Sequence, residues 1–207
     1  MKIRSKLAAF LFRLALCVAA TLGVLSYCGV LSGAADFSRL QKFPAFVNAI
    51  GAIFYFISAL VTLFSTREFL PRLRGAVVLL YCVLLMMDCA FYADFRENNL
   101  TYILLHFAAP ILSLIDWLFF GEKNHYHWVS PLLWLILPDS YLLFAILRAK
   151  LISGSGWLLP FLNYDVYGWK KVLLVIAITN LFAIVIGYLF VSIDKLMAPR
   201  KKKRNKK

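Results

Sequence analysis

The sequence has no polar stretch long enough to form a soluble domain, no internal repeat, and no cysteine pair at C-x-x-C or Cys/His spacing. The first absence leaves one folded body, the second argues against a transporter built from inverted repeats, and the third removes support for a bound metal. Nothing in the spacing asks for a cofactor. Cys17, Cys28, Cys82 and Cys89 all fall in apolar segments and read as core thiols. A disulfide between Cys28 and Cys89 stays open as an alternative, since both lie near one membrane surface.

What is present is hydrophobic sequence, 62% of 207 residues, with 16% aromatic. Such values fit a polytopic membrane protein. Lys and Arg number 23 against 10 Asp and Glu, a net charge of +13. These basic residues crowd the termini and short loops, so the excess reads as membrane topology and not as a nucleic-acid surface. Segments 7–31, 43–64, 76–93, 100–120, 129–147 and 172–193 each approach the ~20 residues that cross ~30 Å of hydrocarbon. The predicted fold is therefore all-α, a bundle of six transmembrane helices over residues 1–193 with a basic tail over 194–207.

The basic start and apolar run of residues 1–25 have the form of a secretory signal, but Arg13 interrupts the run and no small-x-small site follows promptly, which favours a retained anchor. With the amino terminus inside, the cytoplasmic pieces hold Lys2, Arg4, Lys6, Arg67, Arg72, Arg74, Lys123 and the tail, against Arg39, Lys42, Arg96, Arg148, Lys150, Lys170 and Lys171 outside. The count places both termini in the cytoplasm of a plasma membrane, bacterial in type, with the fifth loop as the exception. Membrane lipids are the expected partners. The tail APRKKKRNKK either reaches anionic headgroups or serves only to set topology.

Polar groups inside a span are costly and mark either paired side chains or a polar cavity. In the fourth span Tyr102, His106, Ala109, Ser113 and Asp116 share a sector of about 80°. In the second, Asn48, Gly51, Tyr55, Ser58 and Thr62 do the same, and the two faces are expected to meet. Pro110 cannot donate to the carbonyl four residues back, which predicts an open His106 carbonyl. In the sixth span Asn180 lies in line with Ala177, Ala183 and Gly187, the last two forming a small-x-x-x-small pair that predicts a centrally packed helix.

Depth along the spans puts Asn48, Asp88 and His106 at one level near the outer end, with Asp139, past a kink at Pro138, and Asn180 nearer the midplane. The five are expected to line one outward cavity, while Asp116 and Ser58 belong to a separate inner network. Either Asp88 or Asp139 orients His106 as a general base, or the group is a set of interhelical hydrogen bonds that fixes register. The connection 148–171 carries Trp157, Phe161, Tyr164, Tyr167 and Trp169 among helix-breaking Gly, Ser and Pro. It reads as an interfacial cap, either an aromatic belt or a lid whose Tyr164 meets a ligand.

The run HFAAPILSLIDWLFF, from His106 through Pro110 to Asp116 and Trp117, is followed by LPDSYLLFAILR with Pro138 and Tyr141, and then by GWLLPFLNYDVYGW. In order and spacing these resemble the bacterial six-span Pr-six-Pr branch of the androgen-induced-protein and ADTRP superfamily. The similarity covers the carboxy-terminal half well and the first two spans weakly. Animal members are intramembrane hydrolases of fatty acid esters of hydroxy fatty acids that use a threonine nucleophile and a histidine, so the resemblance implies lipid-ester hydrolysis, with His106 matching the histidine.

The threonine's place, in a pattern like F-T-x-x-S-N, matches Phe43-Pro44-Ala45-Phe46-Val47-Asn48. Asn48 keeps its place and Pro44 stands where the threonine would; a shift of one puts Ala45 there. Neither side chain can form an acyl intermediate. Ser38, Thr101, Ser140 and Thr179 are the other hydroxyls near the outer surface or the cavity. Without them His106 would activate water, with Asn48 or Asn180 as oxyanion donor. The expected site thus comprises His106, Asp88 and Asp139 for chemistry and Asn48, Asn180 and Tyr164 for the ligand. A non-catalytic lipid-binding or accessory protein is the second reading, and a proton-coupled transporter the third.

Overall fold

The computed structural model describes residues 6–65, 67–91, 99–152, 154 and 156–199. Lys2, Arg4, Arg96 and the tail residues 200–207, which enter the charge count above, lie outside the described residues. Among the described residues there is no strand, and six helices are each long and apolar enough to cross a membrane. They are α1 (Lys6–Tyr27), α2 (Phe43–Phe64), α3 (Pro71–Phe91), α4 (Leu100–Phe120), α5 (Ser130–Leu151) and α6 (Tyr164–Leu196). This is the architecture of a multi-pass integral membrane protein.

The helix ends follow local chemistry. Helix α1 stops at Tyr27, short of residue 31, because the chain reverses through Gly29 and Gly33 at φ of 72° and 76°, a region open to glycine. Helix α3 starts at Pro71, earlier than the apolar pattern predicts, so Arg72 and Arg74 lie inside it. Proline suits a first turn, where its missing N–H costs nothing. Asn99 caps α4 by accepting from the Tyr102 N–H at 2.8 Å, and Asn163 caps α6 through the N–H groups of Asp165 and Val166.

Two helices are interrupted near proline. In α5 the α-helical pieces Ser130–Trp134 and Ile136–Leu151 meet at Leu135, one turn before Pro138. The expected kink at Pro138 is thus displaced toward the amino end, since the carbonyl that Pro138 cannot serve belongs to Trp134. In α4, Leu104–Ala108 is a π turn between Leu100–Ile103 and Ala109–Phe120.

Helix α3 is the centre of the bundle. Ala76 through Leu84 are buried on every side, and α3 packs against α2, α4, α5 and α6, while α1 lies along α2 and α4. The expectation of a central sixth helix is therefore corrected: α6 packs on α3 and on the start of α5 and exposes Leu173, Ile178, Leu181, Val185 and Leu189. Its small residues serve one close approach, since a Cβ on Gly187 would sit 2.7 Å from the Pro131 side chain. Helix α3 needs the same allowance, because a Cβ at Gly75 would meet the Trp134 ring at 2.3 Å.

Candidate functional site

A cavity of about 400 Å³ opens at one end of the bundle, referred to below as the dyad end. Its apolar walls come from Phe43 and Pro44 of α2 and Leu84 and Met87 of α3, and it is covered by Trp157 to Pro160 of the fifth loop. Polar groups enter from Tyr27, Lys42, Asp88, Tyr102 and His106. The volume and the mix of apolar wall with few polar groups suit a small amphiphile.

Asp88 and His106 form the polar base of this cavity. The His106 Nδ1 faces the Asp88 carboxylate, with 11% and 4% of the two side chains exposed. An ionised carboxylate there accepts a hydrogen bond from the Nδ1–H and leaves Nε2 as the unprotonated nitrogen of neutral imidazole, the arrangement of an oriented general base. The Tyr102 ring stacks on the imidazole at 4.4 Å between centroids and holds its plane.

The backbone beneath His106 is set by the π turn. The Ala109 N–H reaches back five residues to the Leu104 carbonyl. In that register Pro110 would serve the Leu105 carbonyl and cannot, so the orphan predicted at His106 moves to Leu105. Asn48 fills it: its Nδ2 donates to the Leu105 carbonyl at 2.9 Å and to the Pro44 carbonyl at 2.8 Å. Both amide hydrogens are then committed, which removes Asn48 as an oxyanion donor and makes it a clamp joining the two backbones beside the cavity.

The faces expected to meet do meet, and α3 joins them. Asn48, Tyr55 and Thr62 recur every seven residues on α2, Asp88, Tyr81 and Arg74 on α3, and His106 and Ser113 on α4, ahead of Asp116. They stack into a seam of three tiers. The first holds Asn48, Asp88 and His106. In the second, Tyr55 bonds Ser113 at 2.7 Å and Tyr81 lies over Gly51, where a Cβ would come within 1.9 Å of its hydroxyl. The third is ionic: Asp116 pairs with Arg13 at 3.1 Å and Arg74 at 3.0 Å, Arg74 also pairs with Glu68, and Arg13 donates to Thr62.

This ion-pair end is densely tied. The Glu122 N–H donates to Glu68 at 2.6 Å, Asp194 accepts from the Asn124 and Tyr126 N–H groups, and Lys123 donates to the Trp117 carbonyl while lying 4.3 Å over its indole. Burial raises the Glu68 carboxyl above its ordinary pKa despite Arg74, and burial brings the Lys123 ammonium down to about 8.

Three expected site residues stand apart from the cavity. Asp139 is half-buried in the first turn after the Leu135 break, and the inward face there is Pro138, Tyr141, Leu142 and Ala145. One residue past Pro138 is a rotation of about 100°, which carries Asp139 off that face. Asn180 sits beside the inward face of Thr179, Ala183 and Gly187, on a helix that packs against α3 and α5 away from the cavity. Tyr164 supports the cover from behind, stacked on Trp169 at 4.3 Å and edge-on to Trp157 at 5.1 Å. Of the fifth connection, Trp157 to Pro160 line the cavity, while Tyr167 and Trp169, in the first turns of α6, are exposed.

None of the alternative hydroxyls lines the cavity. Ser38 bonds Asp36, Thr101 bonds Ser26, Ser140 donates to the Leu137 carbonyl, and Thr179 is buried on α6. All four cysteines are free, so the Cys28–Cys89 bridge is not formed. Among the described residues no group of three or more His, Cys, Asp or Glu is placed to hold a metal.

Sequence reasoning passed over Lys42, Tyr27 and Tyr102 as cavity groups, Arg13 and Arg74 as partners of Asp116, and Glu68 as the second partner of Arg74. The ionic tier did carry a signal, because an arginine inside an apolar span needs a carboxylate and Arg74 keeps the seven-residue spacing of Tyr81 and Asp88. Lys42 carried none beyond adjacency to Phe43 and Pro44. Compared with protein-family models, with curated proteins and with solved structures, the chain matches none.

Proposed function

We propose that this membrane protein hydrolyses an ester of a membrane-derived lipid, with His106 as general base toward water. The observation that carries the reading is the His106–Asp88 pair at the base of a cavity that is otherwise mostly apolar. The His106 Nε2 takes a proton from water as the oxygen attacks the acyl carbonyl; the same nitrogen returns it to the departing alkoxide. Lys42, the cation of the lining, is the candidate counter-charge for the oxyanion in place of Asn48 and Asn180. Pro44 also lines the cavity, so the position of the superfamily's threonine and its histidine share one space here, with no hydroxyl at the former. Membership of that superfamily is part of the proposal and rests on the residue pattern.

The setting proposed is a bacterial plasma membrane with both termini cytoplasmic and the cavity toward the outer leaflet. The basic tail is proposed to meet anionic headgroups on the inner leaflet. Purified protein in detergent is expected to cleave a long-chain ester, and His106→Ala to abolish cleavage while the protein remains folded. Equal cleavage by the two forms sinks the proposal. The second reading, a lipid-binding protein without turnover, is favoured by the cavity lining, which among the described residues includes no Ser, Thr or Cys. A lipid that co-purifies with the wild type, is lost in His106→Ala and is never cleaved would support it.

A further inference from the structure

We propose that the three-tier seam is a proton path joining the two ends of the bundle, an activity independent of ester cleavage. The seam runs from Asn48 to Thr62 along α2, a length of ~21 Å at 1.5 Å per residue. Each tier contains a fully buried polar atom with no hydrogen-bond partner among the described residues: Asn48 Oδ1 in the first, Tyr81 Oη in the second, Arg74 Nη2 in the third. Ser58 Oγ, between the second and third, is a fourth. Groups of this kind are satisfied by internal water, which needs several polar partners at one place. The proposed path places such waters between the tiers, interleaved with the Tyr55–Ser113 hydroxyl pair.

The seam is shaped for hydroxyls and not for packing alone. Gly51 leaves a notch that the Tyr81 hydroxyl occupies, and even an alanine there would displace it. The ends differ in what they supply. At one end Asp88 and His106 face each other beside the cavity. In the third tier Arg13 and Arg74 are matched by Glu68 and Asp116, so their formal charges cancel and leave no net positive charge to repel an incoming proton. In transit each hydroxyl or water accepts one proton on one side and releases another on the far side. One proton moves across, and no covalent bond is changed at the end.

The full chain, purified and reconstituted into phospholipid vesicles loaded with a pH-sensitive dye, tests this. An imposed pH gradient is expected to decay several-fold faster with the wild type than in protein-free vesicles. Tyr81→Phe removes one hydroxyl and keeps the ring, and is expected to return the decay to the protein-free rate with helix content and thermal midpoint retained. Ser113→Ala is a second interruption at the same tier and decides the matter if Tyr81→Phe does not fold. A wild type no faster than empty vesicles, or two folded variants that both conduct like the wild type, overturns the proposal.

Discussion

The two ends of the bundle each bury a carboxylate against basic side chains, yet they are built for different ends. At the dyad end Asp88 meets a single imidazole, and a cavity with an apolar wall adjoins the pair. At the ion-pair end Asp116 is held by two guanidinium groups, one of which also meets Glu68, and Lys123 and Tyr126 of the adjoining loop and Asp194 of α6 add further ties. Arginine does not titrate in a working range, whereas histidine does. A fixed charge cluster ties helices together; a titratable pair beside open space can exchange a proton with a ligand. Burial of a carboxylate is common to both, and the partner and the space beside it make the difference.

That contrast is broken most sharply at Asp116. Asp116→Ala strands Arg13 and Arg74 in the bundle and is expected to cost about 3–5 kcal/mol, as loss of one partner of a buried ion pair does. Thermal unfolding in detergent, followed by a thiol-reactive dye reporting the buried Cys17 and Cys28, measures it. An unchanged midpoint would mean that the ion-pair end does not tie the bundle.

Asp88→Asn is the matching change at the other end. It removes the group that fixes the His106 tautomer, and ester turnover is expected to fall by about 10²- to 10⁴-fold. Its shift in thermal midpoint should be smaller than that of Asp116→Ala. Equal stability losses with unaltered turnover would erase the distinction between the ends.

Between the ends, Gly51→Ala drives a methyl into the Tyr81 hydroxyl and is expected to destabilise by about 1–3 kcal/mol through overpacking. Chemical denaturation of the detergent-solubilised protein reads this, and a neutral result would show that the middle tier can relax without cost.

The smallest effect is electrostatic. Lys123 has an ordinary value of 10.5 and a folded value of about 8, lowered by burial. Between those two the unfolded chain holds a proton that the folded chain has released, so stability rises as pH increases from about 8 toward 10.5. Below about 8 both states are protonated and this contribution is flat. Lys123→Met is expected to remove the rise from a series of unfolding midpoints against pH.

Much of this arrangement is legible in the residues. The stripes on α2 and α4 follow from helical period, and the meeting of Asn48, Asp88 and His106 near one end follows from depth along alternating spans. Asp116 falls at the opposite end for the same reason. The lapses have physical causes. Asp139 is one residue past the inward-facing Pro138 and so about 100° off that face of α5, and a π turn moves the open carbonyl from His106 to Leu105. Asn48 is then spent on backbone instead of on a ligand.

By itself the sequence determined the six long apolar helices of the described residues, because length and hydrophobicity decide that one residue stretch at a time. It also determined which polar side chains share a face, because that depends only on the turn of one helix. Only the tertiary structure decided which faces oppose one another, that α3 stands at the centre, that Arg13 reaches Asp116, and that the fifth loop closes over His106. Those outcomes depend on how each helix is rotated and set against its neighbours. Rotation is settled by close approaches such as Gly51 to Tyr81, Gly75 to Trp134 and Gly187 to Pro131, where one added carbon would push two helices apart.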